Sequence, residues 1–210
     1  MKFGFLSDLD DYFCEVHANY DKLCVLPNYR MPKMQDTRVD EFGRKYAYTL
    51  PANTMRLAAQ ENKAELLQAL KDKMTDKTFS FSFRPLGFFA RIRETFAKVT
   101  FKKTLKAIAA RYNLTLEQVG EGLEIDGEIW KNIVKGKFYP SKNLVFSIAL
   151  TSRFTHQETK MLLEVADYEF DYEEVKDTVI AYLLFKGIYN PDMVQAALDE
   201  YKIKNLFIKR

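Results

Sequence analysis

The chain has little of what most enzymes and secreted proteins need. Its 210 residues include two cysteines, two histidines, one tryptophan, eight glycines and six prolines. Two thiols exclude a disulfide framework. No phosphate-cradling glycine loop, nucleophile elbow or pair of catalytic carboxylates is present, so nothing points to an enzyme, and no cofactor is expected. Cys14-x-x-His17 with Cys24 offers three metal ligands and no fourth at a recognised spacing. Reduced thiols on partly buried surfaces are the expectation there. His156, beside Thr155, reads as a helix-start residue rather than a base. No apolar run approaches the roughly 20 residues of a membrane span. Met1-Lys2-Phe3 leads into acids rather than a signal-peptide core, so a cytoplasmic protein with no membrane association is expected. A net charge of +3 is too small to argue for nucleic acid by itself.

What is present suits a globular protein of one or two domains. Hydrophobic residues make up 47% and charged residues 29%, and 17 Phe with 12 Tyr supply core aromatics. The expected fold is mostly α, divided at about residue 98. Residues 1–98 read as a helical and irregular region. A helix is expected over 4–17 with Phe5, Leu9, Tyr12, Phe13 and Val16 on one side. A long irregular segment follows from Tyr20 to Asn53, punctuated by Pro27, Pro32, Gly43 and Pro51. A helix over 54–74, capped by Asn53 or Thr54, carries Leu57, Leu66, Leu67 and Leu70. Thr78–Phe83 alternates like a short strand, and Phe88–Lys98 resumes a helix.

Residues 99–210 are organised around Thr115–Gly136. Thr115 is an N-cap candidate, followed at helical spacing by Leu116, Val119 and Leu123. Gly120 permits close approach of a second helix. Ile125 reads as a buried turn residue and Asp126 as the next cap. The second helix buries Trp130 and Ile133 and stops at Gly136. This is the pattern of a helix-turn-helix unit. Ser141 then caps a helix over 142–154, and Thr155 opens another carrying Met161, Leu162 and Val165. A third spans Tyr172–Lys186 and ends at Gly187. Pro191 begins the last, with Val194, Ala197, Leu198 and Tyr201 inward. The tail Ile203–Ile208 is apolar enough to dock.

From about Lys102 to Phe154 the chain resembles the XRE/Cro-like helix-turn-helix repressor family. The resemblance implies a bacterial DNA-binding regulator of transcription, with Gly127, Glu128, Lys131 and Asn132 on the base-reading face of the second helix. Asn132 suits an adenine edge, whereas Glu128 accepts only from a cytosine amine. Lys135, Lys137, Ser141 and Lys142 are the phosphate candidates, the last two at a helix N-terminus. The family usually has a left-handed glycine in the turn. Here Glu124 stands there, at a cost on the order of 1 kcal/mol, so an altered turn is expected. Residues 102–207 also resemble the helical domain that follows some bacterial macro domains. That likeness rests on Pro140-Ser141-Lys142, Glu158-Thr159-Lys160-x-Leu162-Leu163 and Gly187-Ile188-Tyr189. It implies a module working beside other proteins.

Charge is unevenly spread. Arg84–Arg111 holds eight bases against one acid, and Gln157–Glu200 eleven acids against three bases. A basic stretch running into a helix-turn-helix suggests phosphate contacts, and pairing with the acidic stretch is the alternative. Two functions therefore stand. One is a DNA-binding regulator. The other is a protein-interaction module or adaptor on a repressor-like fold, with a protein partner or a homodimer. The acids Glu124 and Glu128, and 16 Lys/Arg balancing 16 Asp/Glu over 99–210, favour the second.

Overall fold

A computed structural model describes residues 4–30, 35–49, 62–74, 83–87 and 99–209, and among these the fold is mostly helical. The chain divides into two units. Met1–Asp76 groups with Tyr172–Thr178, and Lys77–Asp171 groups with Val179–Arg210.

In the first unit, α1 (Phe5–His17) buries Leu6, Leu9, Phe13, Cys14 and His17. That stripe is rotated from the expected one, leaving Phe5, Tyr12 and Val16 half-buried. The short α2 (Tyr20–Leu23) follows, and α3 (Lys63–Met74) buries Leu66 and Leu70. The Lys71 ammonium is buried too, held 2.7 Å from Asp10. The start expected for this helix, with Asn53, Thr54 and Leu57, lies outside the described residues. The segment expected to be irregular over 20–53 contains an antiparallel hairpin, β1 (Gln35–Val39) with β2 (Lys45–Thr49), in register Gln35↔Thr49 to Val39↔Lys45. Its turn is fixed by the Asp40 carboxylate, which accepts from the amides of Phe42 (2.9 Å) and Arg44 (2.8 Å), and by Gly43 at φ +76. Side chains 37–39 and 45–47 are all exposed. Gln35–Val39 and Lys45–Thr49 hold few aliphatic residues, and so no clear hydrophobic alternation announces the strands.

The second unit is built from capped helices. Thr100 caps α4 (Phe101–Arg111), and Thr115 with Gln118 closes a capping box on α5 (Leu116–Glu121). Asp126 caps α6 (Gly127–Val134) through the amides of Glu128 and Ile129. Ser141 caps α7 (Lys142–Thr151), and Thr155 with Glu158 caps α8 (His156–Glu164). The later helices are α9 (Val175–Lys186), whose first turn belongs to the first unit, and α10 (Pro191–Glu200), capped by Asn190. Every residue from Leu144 to Leu150 is buried, which makes α7 the central helix, with α5 and α8 packed on it.

Several expectations shift in detail. Helix α7 ends at Thr151 rather than residue 154, because Arg153 turns to φ +60 and Phe154 N–H bonds back to Ala149 O. Met161 is exposed, and Leu163 is buried beside Leu162. The tail docks: Phe207 N–H donates to Ser147 Oγ (2.8 Å) and Ile208 bridges to Leu123. The expected strand falls outside the described residues except for Phe83, and the expected helix 88–98 falls wholly outside. Just beyond the first, Leu86 N–H bonds Lys137 O and Tyr139 N–H bonds Arg84 O, forming a short bridge at Pro85 and Phe138.

Candidate nucleic-acid interface

The pair α5–α6 comes close at Gly120 and Trp130. A Cβ built on Gly120 would sit 2.3 Å from Trp130 Nε1, so only glycine fits under the indole. That indole N–H donates to Leu116 O at 3.0 Å, tying the second helix to the first turn of its neighbour. The intervening turn is altered. Glu124 is not left-handed, and its N–H donates to Phe207 O at 2.9 Å. The docked tail thus supplies a strand-like partner to the turn, and Glu124 avoids the left-handed penalty. Ile125 is half-buried rather than buried.

The expected reading residues Gly127, Glu128, Lys131 and Asn132 all lie on α6. Glu128 and Lys131 are exposed and bonded to each other at 2.8 Å. The Lys131 contact draws the Glu128 carboxyl below its usual range, and the Glu128 contact raises the Lys131 ammonium. Asn132 is half-buried, and its backbone carbonyl accepts from Lys137 N–H at 2.8 Å. Of the phosphate candidates, Ser141 turns its hydroxyl onto Leu144 N–H as a cap (3.2 Å). Lys142 is half-buried with its ammonium 5.9 Å from the Phe146 ring centroid. Both are engaged by their own helix. Lys135 and Lys137 stay exposed.

Lys135 and Lys137 join a group that the sequence hid. Together with Lys102, Lys103 and Lys106 of α4 they line one cleft of about 830 Å3, with Glu164 and Asp167 also on its wall. The α4 lysines were visible only as part of a charge run. What brings them to the loop after α6 is the packing of α4 on α5 and α5 on α6, which spacing along the chain does not encode. The rest of that run behaves otherwise. Arg111 pairs with buried Glu158 at 3.3 Å, and Arg84 lies 4.7 Å over the Tyr139 ring. Arg91, Arg93 and Lys98 lie outside the described residues.

No family model, curated protein or solved structure matches the chain.

The cysteines and histidines lie outside the lysine cleft's lining. Burial pushes the Cys14 thiol up to about 11. Cys24 is exposed, with its sulfur 3.5 Å from Asp21 O. His17 is buried 2.9 Å from Thr178 Oγ1, and that hydroxyl gives its own proton to Glu174 O. His17 Nε2 is therefore the donor. Burial first, and Lys22 second, lower its pKa to about 4. His156 begins α8, stacked on Phe170 and Phe185 at 4.7 and 3.9 Å between centroids. Among the described residues, no helix is long and apolar enough to cross a membrane.

Proposed function

We propose that the second unit is a helix-turn-helix module of XRE/Cro-like kind that binds duplex DNA mainly through its phosphates, as a regulator of transcription. One observation carries the reading. Three lysines at the start of α4 and two after α6 share a single cleft. Lysine ammoniums grouped on one surface replace the counterions condensed on a duplex, and the released ions drive binding without regard to sequence. The reading helix adds little base selection, since Glu128 brings a charge of the same sign as the phosphates and occupies Lys131. Anisotropy of a labelled random duplex, titrated from low to physiological salt, tests this. Binding that weakens steeply with salt is expected, and no binding at low salt would remove the reading.

A second reading is a protein-interaction module that keeps the fold without reading DNA. The observation favouring it is the exposed acidic edge Glu117, Glu121, Glu124 and Glu128.

A further inference from the structure

A second groove, of about 820 Å3, runs between α5 and α6. Its floor is apolar, made by Leu116, Leu123, Ile125, Trp130 and Val134. Leu116, Ile125 and Val134 remain half-buried, so this is apolar surface that the fold itself leaves partly uncovered. The rims carry opposite charge. Glu117 and Glu121 of α5, with Glu124 in the turn, form one, beside Lys209, whose ammonium donates to Glu121 O, and Lys102, Lys131 and Lys135 form the other, beside the cap residue Asp126. All eight are exposed, and each rim keeps a net charge of its own sign. Glu117 and Glu121 stand four residues apart on a six-residue helix with no base in its last turn. That like-charge spacing works against the helix carrying it. Among the described residues, no ion pair engages Glu117, Glu121 or Glu124.

We propose that this groove docks an amphipathic helix of a partner protein, with lysines or arginines along its flank facing α5 and acids along its flank facing α6. Three features set the occupant. Apolar floor between two helices is the geometry that receives an apolar helix face. The walls, of six and eight residues, are roughly 9–12 Å long at about 1.5 Å per residue, which matches two turns of a docked helix and anchors at i, i+4 and i+7. The acidic rim disfavours a phosphate backbone and attracts a basic flank, and the split charge fixes which way the helix lies. This goes beyond DNA binding and does not depend on it. Lys102 and Lys135 line both clefts, so the two ligands share cations.

The single tryptophan, Trp130, is in the floor, so its emission reports occupancy. A phage-displayed library of amphipathic helices roughly 16 residues long, enough to overrun the groove, is randomised on both flanks. It is selected on the full chain without nucleic acid. Enriched peptides should carry bases on one flank and acids on the other, and should shift Trp130 emission. They should bind about tenfold more weakly to the Glu117→Lys/Glu121→Lys variant, while peptides acidic on both flanks gain affinity for it. Both substitutions are at exposed positions, and an unchanged melting temperature confirms that the variant is folded. Four outcomes overturn the proposal: no enrichment; enriched flanks without charge bias; affinity unaffected by the double reversal; or Trp130 emission that responds instead to dilution of the chain, which assigns the groove to a second copy.

Discussion

Replacing Gly120 with alanine perturbs the close approach of α5 and α6. The new methyl would lie 2.3, 2.5 and 2.8 Å from Trp130 Nε1, Cδ1 and Cε2. Carbon atoms prefer about 3.5–4.0 Å, so the ring must move by an ångström or more. It is not free to do so, because its N–H is bonded to Leu116 O and Trp130 is buried. Forcing the methyl in costs roughly 1–3 kcal/mol of overpacking, and breaking the indole bond a similar amount. The better helix propensity of alanine returns about 1 kcal/mol. The net loss is roughly 1–5 kcal/mol, a fall in Tm on the order of 10 °C for a unit of this size. Urea unfolding followed by Trp130 emission measures it. Gly127→Ala is the control: nothing lies within 4 Å of its Cβ position, so stability should hold or rise by up to about 1 kcal/mol. Parental stability in Gly120→Ala would refute the close approach and the register of both helices.

Other perturbations test other links. His17 is neutral when folded and its pKa is lowered to about 4 from an ordinary 6.5. Above pH 6.5 neither state binds the proton. As pH falls from about 6.5 to 4 the unfolded chain takes it up first, so stability should drop by about 3 kcal/mol, and His17→Gln should flatten that part of the pH–stability curve. Ser147→Ala removes the acceptor of Phe207 N–H at a buried site and should cost about 1–3 kcal/mol in urea unfolding, with loss of amide protection at Phe207 and Glu124. Glu128→Gln frees Lys131 and removes a like charge, so nonspecific duplex binding should tighten several-fold at low salt, and less as salt rises, with Tm unchanged. An unaltered affinity would mean that this edge of α6 does not face DNA.

The helix punctuation was legible because capping is local chemistry. Thr115, Asp126, Ser141 and Thr155 each accept an amide proton within three residues, and a short window of sequence contains both partners. Gly120 was legible as a place where a second helix comes close, because its lack of a side chain permits that, while its partner Trp130 is set by the packing of α6 on α5. The hairpin was not, since its solvent-facing strands carry no apolar period and only Asp40 and Gly43 mark the turn. The α1 stripe was misplaced because a buried histidine and cysteine, His17 and Cys14, take positions that hydropathy assigned to Tyr12 and Val16. Ser141 and Lys142 were legible as residues of a helix start, whereas the contact of the Lys142 ammonium with the Phe146 ring depends on side-chain placement that type alone does not give. The lysine cleft and the tail's pairing with Glu124 depend on tertiary packing between segments far apart in the chain, and no local pattern encodes them.

The central claim is that the lysines of α4 and of the α6–α7 loop bind one phosphate backbone. The most direct measurement is the slope of log affinity against log salt for a random duplex, in the parent and in Lys135→Gln/Lys137→Gln. Five lysines at about 0.9 per phosphate predict a slope of roughly −4 to −5 for the parent, reduced by about 2 in the variant. Both side chains are exposed, so melting should be unchanged. A parent that binds no duplex at low salt, or a variant with the parental slope, would contradict the account.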